Sequence, residues 1–72
     1  MQDFINFVAK VMEVDPIELS GDTSYGQHEK WDSIMHMRLV MEIEDEYNKE
    51  IPIDEIPNIK TIKDFYNYIK TA

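Results

Sequence analysis

No cysteine occurs among the 72 residues. Disulfides are therefore excluded, and no thiol of the chain's own can act as nucleophile or metal ligand. Basic side chains are scarce, 7 against 15 acids, which leaves a formal charge of −8. Phosphate-bearing partners would repel such a surface, which argues against nucleic acid and anionic membrane surfaces as partners. No apolar run approaches the roughly 18–20 residues that span a bilayer, and the start MQDFINF is no signal peptide. Stable membrane insertion is not expected, and the chain reads as cytoplasmic. Long glycine-rich stretches are also missing: both glycines, Gly21 and Gly26, fall in one polar segment between Ser20 and Lys30.

Apolar residues, at 43%, are plentiful enough for a core, so this is no disordered acidic tail. Residues 1–72 are expected to form one free-standing domain, a monomer held by a single core worth about 3–5 kcal/mol net. Phe4, Ile5, Val8, Val11 and Met12 recur at helical spacing, which predicts a helix from Gln2 to Glu13. Asp15-Pro16 ends it, and Asp15 can cap a single turn through Ile17 and Leu19. Ser20 to Lys30 is then a long aperiodic loop, a kind often functional. A second helix is predicted from about Ser33 to Tyr47, closed by Asn48-Lys49-Glu50. Asp54 to Ile56 can form only a short turn before Pro57. Thr61 and Asp64 resemble a capping pair for a last helix carrying Ile62, Phe65, Tyr66 and Ile69. No alternating stretch makes a convincing strand. The fold class is all-α: a small bundle of three main helices plus one short helix.

The second helix has two apolar sides. At about 100° per residue, Leu39, Val40, Ile43 and Tyr47 fall together, with His36 at the same azimuth. These form the core face. Ile34, Met37 and Met41 fall on nearly the opposite side, flanked by Arg38, Glu44 and Asp45. A surface helix normally shows one apolar stripe. Exposing Ile34 forgoes about 1.5–3 kcal/mol of burial, and methionines adapt to several partner surfaces. The second stripe is therefore read as a docking face, although the central helix of a bundle could also bury both.

Asp32 and Ser33 stand at the head of that helix, and either can accept a hydrogen bond as its cap. No catalytic residue is assigned. The chain has no G-x-S-x-G elbow, and His36, one turn from Ser33, points to the core without an orienting acid. No metal ligand is assigned either. His28, Glu29 and Asp32 could converge only loosely, and the loop from Asp22 lacks a calcium hand's glycine at Gln27 and glutamate at Ser33. A hydroxyl at a helix N-terminus does lie in a field that favours an attached anion by about 0.3–1 kcal/mol.

The run D-S-I, M-x-L-V-M-E-I-E-D-E-Y, E-I-P and I-K-T-I resembles the acyl carrier protein family in unbroken register from Asp32 to Ile62. That resemblance implies an acyl-carrier-like four-helix bundle without catalysis of its own. It also implies 4′-phosphopantetheine joined covalently to Ser33 by a phosphopantetheinyl transferase that recognises Asp32. Acyl or aminoacyl groups would ride the arm as thioesters to a loading enzyme, synthase or transferase. Ile34, Met37 and Met41 match family positions that face partners, and Glu44 and Asp45 match acids that meet basic patches. Lys30-Trp31 replaces the Gly-Ala usual in fatty-acid carriers, and W-D-S resembles polyketide or nonribosomal peptide carriers. Arg38 and Met35 replace common acids, and Pro57 tightens the short third helix or makes it less helical. A different class of function also fits the stripe: an unmodified helical adaptor that binds proteins through Ile34, Met37 and Met41.

Overall fold

The computed structural model describes residues 1–70, so Thr71 and Ala72, the end of the expected domain, lie outside the described residues. Three α-helices, α1 (Gln2–Met12), α2 (Ser33–Tyr47) and α3 (Ile62–Lys70), alternate with two 3-10 segments, Pro16–Glu18 and Ile53–Asn58. No strand forms among the described residues, although Ser24 and Thr61 meet in one isolated antiparallel bridge. The all-α expectation holds.

Helix α1 buries Phe4, Ile5, Val8, Ala9, Val11 and Met12. Its end differs from the expectation by one residue. Glu13 takes a left-handed backbone with φ 60°, and Val14 N–H donates back to Ala9 C=O at 3.0 Å. The chain thus leaves the helix ahead of Asp15-Pro16, by a left-handed cap. Asp15 then caps the first 3-10 turn, accepting from Ile17 N–H, while the Glu18 carboxylate accepts from Asp15 N–H.

Glu18 also receives the Nε2–H of His28 at 2.8 Å, which ties the long loop to this turn. Those two donors, the His28 bond foremost, hold the Glu18 carboxyl below its ordinary value of 4.5. A lowered folded pKa adds stability that is complete above the unfolded value and disappears as pH falls through the folded one. Glu18→Gln should therefore melt below wild type at about pH 6, with the gap closing towards about pH 3. Thermal melts across that range check it; an unchanging gap would place the effect elsewhere. The difference should be small, since Glu18 is exposed.

The loop is held to α3 by its backbone. Tyr25 N–H donates to Lys60 C=O at 2.6 Å, Ile62 N–H to Thr23 C=O at 3.2 Å, and Lys63 N–H to Gly21 C=O at 2.9 Å. Gly26, at φ +82°, supplies the left-handed turn that lets its N–H reach Trp31 C=O at 3.2 Å. Thr61 and Asp64 cap α3 as expected. Asp64 N–H donates to Thr61 Oγ1 and Thr61 N–H to Asp64 Oδ2, both at 3.1 Å.

The second 3-10 segment runs past the expected Asp54–Ile56 turn and contains Pro57. Proline does not break it because 3-10 turns need only i to i−3 bonds. Glu55 N–H reaches Pro52 C=O and Ile59 N–H reaches Ile56 C=O, and neither bond requires an N–H at Pro57. Aromatic rings join the helices. Phe4 of α1 meets Tyr47 of α2 at 5.7 Å and Tyr66 of α3 at 5.6 Å.

Candidate functional site

Leu39, Val40 and Ile43 of α2 are buried and Tyr47 is half-buried against the core, as the azimuths require. His36 joins them at 7% exposure, and it has partners that the sequence did not reveal. Trp31 Nε1–H donates to His36 Nδ1 at 3.0 Å, while the other ring nitrogen lies 3.3 Å from Ile56 C=O. An acceptor at Nδ1 calls for the tautomer with its proton on Nε2, so Nε2–H is the donor to Ile56. A histidine held by an indole and a main-chain carbonyl is part of the core, not a general base for Ser33.

Trp31 is fully buried, stacked on Phe65 at 6.3 Å. Apart from its family context it drew no structural role from the sequence. A signal existed: it precedes the helix cap, and a large residue there often packs on the fourth helical residue, here His36.

The opposite side of α2 is open. Ile34 is 79% exposed, Met37 47% and Met41 62%. With Ser33, Arg38 and Glu42 they line one shallow groove. The stripe read as a docking face is thus exposed, and burial of both sides is ruled out. Two further exposed isoleucines, Ile17 and Ile53, had no periodicity to flag them.

At the head of α2 the two capping candidates divide. Asp32, in extended backbone, is the cap, and its Oδ1 accepts from Met35 N–H at 2.9 Å. Asp32 C=O accepts the first helical bond, from His36 N–H at 2.8 Å. Ser33 is therefore the first helical residue. It is exposed, and its hydroxyl makes no hydrogen bond within the described residues. The first turn of α2 carries no acidic side chain. The N–H groups of Ser33 and Ile34 thus point their partial positive charge outward with only Asp32 to offset it. A reachable hydroxyl in that field suits an anionic ester.

Other candidates are placed differently. His28 is engaged with Glu18, and Lys30 N–H donates to its Nδ1 at 3.1 Å, while Asp32 is spent on the cap. Among the described residues no three of the ligand types cluster as a metal site. Glu44, read as a partner-facing acid, is half-buried and accepts from Ile51 N–H at 2.7 Å, so it anchors the chain leaving α2. Asp45 remains exposed. No helix among the described residues is long and apolar enough to cross a membrane.

A profile described as the phosphopantetheine attachment site matches residues 2–69. The acyl carrier protein of Rickettsia typhi is 38% identical over 69 residues, covering 96% of this chain and 80% of the relative. That of Lactobacillus acidophilus is 35% identical over 66 residues, covering 92% and 82%. The profile's match takes in α1, α2 with Ser33 and the open face beside it, and all of α3 but Lys70. The chain belongs to the phosphopantetheine attachment-site family, that of the acyl carrier proteins.

Proposed function

We propose that Ser33 is the attachment point for 4′-phosphopantetheine and that the Ile34/Met37/Met41 face is where partner enzymes dock. The family as such is one of carriers, not catalysts, and its members bear this arm covalently. One observation carries the assignment to Ser33. Ser33 is exposed at the first residue of α2 and its hydroxyl has no partner among the described residues, beside a cap that does not need it.

The chemistry asked of the chain is modest. Ser33 Oγ attacks the coenzyme A phosphorus that bears the pantetheine. A P–Oγ bond forms, the pyrophosphate P–O bond breaks, and adenosine 3′,5′-bisphosphate leaves with the electron pair. The hydroxyl proton passes to a base of the transferase. The open N–H groups of Ser33 and Ile34 would favour the negative charge of the phosphodiester so formed. When attached, the arm supplies the thiol that the sequence lacks, on which acyl or aminoacyl groups are held as thioesters. The rigid helix holds the attachment point, and the stripe offers enzymes a grip beside it.

Intact mass after coexpression with a broad-specificity phosphopantetheinyl transferase tests the assignment. Wild type should gain one arm. A wild type that stays unmodified across several transferases would instead leave the exposed stripe to an unmodified adaptor that only binds proteins. Met41→Glu should keep stability within about 1 kcal/mol, because the side chain is 62% exposed, yet slow transfer to a downstream enzyme. A melting point lowered by more than about 10 °C would contradict that separation of docking from folding.

A specialised pathway, polyketide or nonribosomal peptide assembly or a related route, is the reading we favour for the cargo. Its support lies in the W-D-S context, with Lys30-Trp31 ahead of Asp32, and in the cation at position 38.

A further inference from the structure

Arg38 is the one cation lining the groove that Ser33, Ile34, Met37, Met41 and Glu42 share with it. It is exposed, and among the described residues its side chain has neither an ion pair nor a hydrogen bond. That is unusual company for a guanidinium in a chain of charge −8. Glu42 lies one turn on, but a base preceding an acid by four residues is the weaker order for a helical pair. Nothing among the described residues uses this charge. One and two turns further along the same side stand the exposed carboxylates of Glu42 and Asp45. The exposed face of α2 is thus polar along its length. Beyond the serine come a free cation, then two anions, with Ile34 and Met41 alongside.

An enzyme that meets this face must complement both signs. A uniformly basic docking surface suits Glu42 and Asp45 but sets a cation against Arg38, and like charges brought together at an interface penalise the wrong partner. A carboxylate at that spot reverses the sign and can take the guanidinium's two parallel donors. We propose that Arg38 is a specificity-determining residue, so that this carrier fits enzymes with a carboxylate opposite Arg38 and basic side chains opposite Glu42 and Asp45. The inference rests on the carrier reading above and narrows the partner class it implies.

The test uses the chain without its arm, so that no phosphate on Ser33 can pair with Arg38. Wild type, Arg38→Ala and Arg38→Glu are offered to a phosphopantetheinyl transferase with a basic docking face, together with coenzyme A and magnesium. Products are confirmed by intact mass. At about 50 mM salt Arg38→Glu should raise kcat/KM roughly three- to ten-fold over wild type, with Arg38→Ala between them. The gain should shrink below about two-fold near 0.5 M salt, where screening is strong. Alanine scanning of the transferase's basic residues locates the cation that faces Arg38. Replacing that cation by glutamate should reverse the order, with wild type now preferred. Equal rates for the three carriers, a gain indifferent to salt, or no reversal would each overturn the role of Arg38 while leaving the carrier reading intact. If no variant is modified at all, the carrier reading fails and this inference with it.

Discussion

Trp31→Ala is expected to leave the domain largely unfolded at 25 °C. The indole is fully buried and packs on Phe65 at 6.3 Å, on His36 at 6.0 Å and against Tyr25 at 6.3 Å. Truncating a buried tryptophan costs about 3–5 kcal/mol, which matches the whole net stability of a domain this small. The loss is also electrostatic, because His36 Nδ1 would lose the one donor it has inside the core among the described residues. Trp31→Phe is a milder test of the same cluster. It keeps a six-membered ring in the stack but loses the N–H together with the volume of the fused five-membered ring, so it should cost about 1–3 kcal/mol, less than alanine, and leave a cooperative, lowered melt. Far-UV circular dichroism with thermal melts reads both variants. A Trp31→Ala protein that still melts within about 5 °C of wild type would mean that the aromatic cluster is not what joins the loop to α2 and α3.

Much of the arrangement follows from helical periodicity. The azimuths of Leu39, Val40 and Ile43 place them in the core, and those of Ile34, Met37 and Met41 place them outside, where the structure has them. Periodicity works there because α2 is long enough for a stripe to repeat. It is silent about Leu19, Ile51 and Ile59, which are buried singly from loops or short turns. The docking of Thr23 and Gly21 onto the start of α3 was equally illegible. Those bonds run between main-chain groups far apart in sequence and are indifferent to side-chain identity. Glu44 carries the opposite lesson. Its helical position points it outward, but the chain returning through Ile51 brings an N–H within 2.7 Å of the carboxylate. A charge that looks free in one helix is then taken by the next segment.

The question of which of Asp32 and Ser33 caps α2 could not be decided from residue type, since both favour that position. Geometry decides it, and the decision makes the second large prediction sharp. Asp32→Ala removes the acceptor of Met35 N–H. It should cost about 1 kcal/mol, the usual loss for such a cap, and lower the melting temperature by roughly 4–8 °C. Ser33→Ala touches no hydrogen bond and replaces an exposed first-turn residue by a better helix former, so its melting point should stay within about 3 °C of wild type. The functional effects run the other way. Ser33→Ala should abolish arm addition entirely, because among the described residues no other hydroxyl has the same combination of exposure and open first-turn amides on a long helix. Asp32→Ala keeps the nucleophile and should slow the transferase without eliminating product. Intact mass and melting curves on the two variants settle the matter together. If Ser33→Ala melts as low as Asp32→Ala, the hydroxyl belongs to the cap, and its freedom to be esterified is lost as an argument. If it folds normally and still gains the arm, the attachment lies on another residue, and the open face of α2 must be explained without it.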